Sequence, residues 1–172
     1  SPPLYSSAAS DVYKRQYSKY YGGAKKVHHL VGLVPSNKGT SMLGLEKFLN
    51  ASGNPLNTIF NAVAQFRNLG SLPQQLQDST FLRELNADGM TVPGITYTVI
   101  ATRFDNRVFP WTNTFINEPG VKNIVIQDVC PLDHSAHTNI PYDPMTFQIV
   151  INALDPERAA PVICTIRPFR PR

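Results

Sequence analysis

Apolar positions along the chain fall into short blocks, and their period changes from block to block. Residues 27–34 read Val-His-His-Leu-Val-Gly-Leu-Val, stopped by Pro35 and the polar Ser36-Asn37-Lys38-Gly39. A run apolar on both faces predicts a parallel strand covered on each side. Residues 41–51 take helical spacing, with Leu45, Phe48 and Leu49 on one face. After Gly53-Asn54-Pro55, the stretch 56–69 repeats apolar residues every three or four positions and predicts a second helix. A third is predicted over 79–86, with Ser79 as N-cap and Phe81, Leu82 and Leu85 turned inward.

The second half runs strand, loop, strand, loop, helix. Residues 95–102 are β-branched and aromatic and follow the turn Pro93-Gly94; residues 121–127 form a further strand, with a loop from Asp128 to Asp143. A last helix over 144–154 carries Phe147, Val150, Ile151 and Leu154 on one stripe. This order predicts an α/β domain with a mostly parallel sheet and flanking helices. Residues 1–16 differ: they show no amphipathic period and no apolar core of the ~7–15 residues a signal peptide needs. Their stretch SSAASDVYKRQ resembles translated adapter sequence from library reads. We therefore expect 1–16 to be non-native and 17–172 to be the native domain.

Composition narrows the class. With 42% hydrophobic and 16% charged residues the 172-residue chain is globular rather than disordered. No apolar run approaches the ~20 residues of a bilayer span, so no transmembrane segment is expected. Fifteen prolines and ten glycines exclude a coiled coil. The net charge of +4 sits at the ends: Lys14, Arg15, Lys19, Lys25 and Lys26 near the start, and Arg158, Arg167, Arg170 and Arg172 near the finish. The region between is net acidic. Nucleic-acid binders cluster basic groups on one reading face, so no nucleic-acid partner is expected.

In a parallel α/β sheet, functional side chains sit at the carboxyl ends of strands. Asp105 follows the 95–102 strand in a polar turn, and His137 lies in the loop after the next strand. An Asp followed by a His in this order matches the later two members of a Ser…Asp…His series, in which the carboxylate orients the imidazole that takes the serine proton. No Gly-x-Ser-x-Gly occurs in the chain. Its nearest imitation, Gly39-Thr40-Ser41-Met42-Leu43, places Leu43 where a tight turn needs a small residue, so Thr40 or Ser41 reads better as a helix cap. His134 and His137, with Asp133 and Asp143, have a loose metal-like spacing but no fixed third ligand; neither metal nor cofactor is expected. Cys130 and Cys164 can form at most one intramolecular bridge. Paired, they would tie the tail beside the His137 loop and imply an oxidising compartment; unpaired, they would be two buried thiols. The expectation is the bridge.

The segments KVHHLVGLVPSNKGT (26–40), QQLQDSTFLRELN (74–86), TVPGITYTVIATRFDNRVFPWTNTF (91–115), NIVIQDVCPLDHSAHTNIPYDP (123–144) and NALDP (152–156) together resemble the secreted class 2 lipases of actinobacterial type. The resemblance is colinear from about Tyr17 to Cys164. It implies the C-terminal portion of an α/β-hydrolase fold, a secreted protein, and hydrolysis of acylglycerol esters at a lipid interface through a Ser-His-Asp mechanism. Its acid falls on Asp105, in TRFDNRVFP, and its base on His137. Asn106 stands where the family usually has an acidic residue.

The family's nucleophile elbow lies about one helix before Tyr20-Tyr21-Gly22-Gly23, where this chain carries the adapter-like stretch. The resemblance therefore implies an incomplete lipase domain whose serine is not in this chain, inactive as it stands. An alternative is a non-catalytic binding or structural domain that keeps the lipase shape.

Overall fold

A computed structural model describes residues 8–41 and 73–164. The two helices expected within 41–69 lie outside the described residues, apart from Ser41. Among the described residues three strands, β1 (His29–Leu33), β2 (Thr96–Ala101) and β3 (Lys122–Val125), form a parallel sheet in the order β1-β2-β3. Leu30 lies opposite Tyr97, and Ile100 opposite Ile124. Helices surround the sheet: α1 (Ala8–Tyr20), α2 (Thr80–Asn86), a single turn α3 (Ile126–Val129) and α4 (Pro144–Leu154).

The central strand β2 is buried on both faces from Tyr97 to Ala101. Alternation along it sends Tyr97 and Val99 into a cluster with Leu30, Ile95 and Ile116. Ile100 points the other way, into a cluster with Val34, Ile126, Cys130, Ile140, Met145 and Ile149. A third cluster, Val12 with Leu82 and Leu85, joins α1 to α2. Ser79 caps α2, its Oγ accepting the Leu82 N–H at 3.2 Å. Gly39, at φ +78°, lets the chain pass close to Gln77, whose backbone N would lie 2.5 Å from any Cβ placed there.

Three elements differ from the sequence expectation. The strand predicted over 121–127 ends at Val125, and Ile126 opens α3. The Cys130 N–H closes that turn on the Ile126 carbonyl at 2.8 Å. Ile126 stays in the core, so apolar character alone could not show the change. In α4 the buried face is Met145, Thr146 and Ile149, while Phe147 is 62% and Leu154 51% exposed. The helix is apolar nearly all round, so its contacts with β1 and the cap at Asp143 choose the inner face, and the spacing of Phe147, Ile151 and Leu154 does not.

The third difference is α1, which begins at Ala8, within residues set aside on sequence grounds. Its inner face is Asp11, Val12, Arg15 and Ser18, mostly polar, and so gives no apolar period to read. Asp11 Oδ2 accepts the Leu33 N–H at the end of β1, at 3.2 Å. Arg15 donates to Met90 O, Asn37 Oδ1 and Asn86 Oδ1 at 3.1, 3.1 and 2.7 Å. Burial pushes its guanidinium down to about 10, against the pull of Tyr97 and Glu118, so it stays charged at neutral pH.

Candidate functional site

Asp105 stands in the turn that leaves the carboxyl end of β2, its N–H donating to the Thr102 carbonyl at 3.3 Å. Its Oδ1 accepts the N–H groups of Arg107 and Val108, each at 2.8 Å. This is the local turn that Asp favours, and it holds the carboxylate inward. His137 comes from the loop beyond β3. The Ala136 carbonyl before it accepts the N–H groups of Asn139 and Ile140 at 3.0 and 3.1 Å. Ile140, fully buried, pins the end of that turn.

The structure brings the two residues together. His137 Nδ1 lies 3.0 Å from both Asp105 oxygens. The Asp105 side chain is wholly buried and that of His137 is 11% exposed. A carboxylate can only accept, so in this contact Nδ1 is the donor, an arrangement that in the neutral imidazole leaves the lone pair on Nε2. The pair can therefore hold an imidazole in one tautomer, take a proton at Nε2 and stabilise the resulting imidazolium.

The other candidate residues have separate tasks. His134 is exposed and lies against Phe104, ring centroids 4.8 Å apart. Asp133 Oδ1 accepts the Ser135 N–H at 2.6 Å. Asp143 caps α4, accepting the Thr146 N–H and hydroxyl at 2.6 and 2.8 Å. Among the described residues no group of three or more His, Cys, Asp or Glu converges as metal ligands would. Ser41 N–H donates to the Phe109 carbonyl at 2.7 Å, and the helix it would cap lies outside the described residues. Cys130 and Cys164 are joined in a disulfide, which ties the 164 end to the start of the His137 loop.

Arg103 and Phe104 form an exposed rim beside the pair, with Arg103 bonded to Asp128 at 2.6 Å and lying over Trp111 at 5.9 Å. The sequence reading did not single out Thr102 and Gln127, two buried polar residues behind Asp105 and His137. Each sits next to the carboxyl end of a strand, and a polar side chain at that place in an apolar run is the signal that could have found them.

No protein-family model matches the chain, and no curated protein matches it. Among solved structures it is similar to the crystal structure of Aspergillus fumigatus lipase B, with a TM-score of 0.64 at 21% identity. The match covers 90% of this chain and 36% of that one, so the chain spans about a third of its neighbour's length. With the parallel sheet and flanking helices, this likeness is consistent with a partial α/β-hydrolase fold. Among the described residues no helix is long and apolar enough to cross a membrane.

Proposed function

We propose that the chain carries the acid–base part of a carboxylic-ester hydrolase acting on acylglycerols, of the secreted class 2 lipase type. The observation that carries this reading is the two-oxygen contact of Asp105 with His137 Nδ1 at the carboxyl ends of adjacent parallel strands. The fold neighbour, itself described as a lipase, and the disulfide, which suits an oxidising compartment, support it.

In this mechanism a serine outside these 172 residues attacks the ester carbonyl while its proton passes to His137 Nε2. Asp105 holds the ring in place and stabilises the positive charge. The imidazolium then protonates the departing glycerol oxygen, leaving an acyl-serine. Water repeats the sequence: its proton goes to Nε2, its oxygen joins the acyl carbon, and the proton returns to the serine as the fatty acid leaves. Asp105 accepts no proton at any step.

The reading is tested by sequencing the source transcript upstream of Tyr17 for a Gly-x-Ser-x-Gly motif and assaying the encoded product on triacylglycerol emulsions and p-nitrophenyl esters. Hydrolysis that falls by about 10⁴-fold in Asp105→Asn, as in other triads, is the expected result. The 172-residue chain alone gives no turnover. A product without ester hydrolysis, or one that His137→Ala leaves active, overturns the assignment in favour of a binding or structural domain.

A further inference from the structure

We infer that Gln127 and Thr102 are the positioning residues that set the Asp105–His137 geometry. The inference rests on the functional reading above for its catalytic meaning, while the geometry is measurable without it. Thr102 directly follows β2 and Gln127 is the second residue of α3, just beyond β3, and both are buried: Thr102 is 0% and Gln127 7% exposed. Their side-chain hydrogen bonds go to other residues than Asp105 and His137. They act on the two backbone segments that carry those residues.

Thr102 is the hub. Its hydroxyl donates to the Ser135 carbonyl at 2.7 Å, two residues before His137. The same oxygen accepts the Phe104 N–H at 3.2 Å, one residue before Asp105. It also accepts from Gln127 Nε2 at 3.0 Å. A hydroxyl has one proton and two lone pairs, so its bonding capacity is full. Gln127 repeats the pattern one layer away. Its Oε1 accepts the Arg103 N–H at 2.9 Å, and its Nε2 donates a second bond to the Asp133 carbonyl at 3.0 Å. Two side chains therefore bind residues 103 and 104 of one turn and residues 133 and 135 of the other loop.

The amide has one workable orientation. Turned over, Oε1 would face the Asp133 carbonyl and Nε2 would face the Arg103 N–H, placing like dipoles together. The hydroxyl proton is fixed in the same way, since only the Ser135 carbonyl can take it. A buried network satisfied in a single arrangement specifies the distance between the parts it joins. Here those parts are the Asp105 turn and the His137 loop. The disulfide holds the start of that loop, through the Asp133 N–H bond to the Cys130 carbonyl at 3.0 Å, and Asp133 and the turn at Ala136 shape it locally, while the network ties it to the Asp105 turn.

Gln127→Met removes the amide at nearly constant length, Thr102→Val removes the hydroxyl at constant shape, and Thr102→Ser keeps it. Leu85→Val, in the cluster between α1 and α2, serves as a destabilised control remote from the site. In the ¹⁵N-histidine-labelled 172-residue chain, the readout is the exchange-protected, downfield Nδ1 proton of His137. We expect Gln127→Met and Thr102→Val to broaden or abolish it, and Thr102→Ser and Leu85→Val to retain it. Retention in Thr102→Val, or equal loss in Leu85→Val, overturns the proposal. If Gln127→Met does not fold, the Thr102→Val and Thr102→Ser pair decides alone. In the serine-containing product, Gln127→Met should lower kcat about 10- to 100-fold with KM within about twofold. A wild-type product without hydrolysis, alongside the expected proton signals, would end the lipase reading and leave the positioning role standing.

Discussion

Replacing Cys164 with Ser removes the covalent link between the His137 loop and the 164 end of the described chain, and the cost can be worked from the structure. Cys130 is fully buried among Ile126, Ile140 and Met145, whereas Cys164 is exposed. The substitution therefore leaves the core packing in place and deletes the crosslink. The bridge spans 34 residues. Loop-closure entropy for a span of that size is about 12–13 cal/mol/K, or about 3.8 kcal/mol at 25 °C. In a chain of this length that corresponds to a fall in Tm of roughly 8–15 °C. Urea unfolding followed by the fluorescence of the sole tryptophan, Trp111, measures it, with thiol titration of the native chain showing no free cysteine beforehand. The m-value should rise, because the unfolded chain is released from its loop. Cys130→Ala should cost about 1 kcal/mol more, since it also takes a sulfur from the core. A loss below about 1 kcal/mol in Cys164→Ser, with m unchanged, would show that the crosslink does not restrain the unfolded chain as argued.

Two further outcomes follow from the polar contacts. Asp143→Ala removes the cap of α4 and should cost about 1–2 kcal/mol, with faster hydrogen exchange at the Thr146 amide; unchanged exchange there would disprove the capping role. Burial pushes the Glu118 carboxyl up, but hydrogen bonds from the Thr91 hydroxyl and the Met90 and Thr91 N–H groups, with Arg15 nearby, bring it below the ordinary 4.5. Its stabilisation is complete above that value and is lost as pH falls through the lower folded value, because the unfolded chain takes up the proton first. Glu118→Gln should flatten the fall in stability below pH 4.5, and an identical slope in both proteins would refute this.

The elements that proved legible in sequence were those whose environment is simple. β2 is buried on both faces and reads as a β-branched and aromatic run, and Ser79 announces the start of α2. Asp105 and His137 could be named because a parallel sheet places function at strand ends, and the structure does bring them into contact. The resemblance to lipases named the same pair. What stayed hidden is polar or ambiguous: the inner face of α1, the turn at Ile126, and the network of Thr102 and Gln127.

By itself, then, the sequence determined the class of fold and the strand ends where chemistry could sit, because hydrophobic period and turn residues are local properties. Which face of α4 turns inward, which amide crosses between two loops, and whether an Asp meets a His 32 positions away were decided only in three dimensions. Those choices depend on hydrogen-bond partners distant in the chain. A buried donor must find an acceptor wherever the packing places one, and one-dimensional pattern carries no record of that.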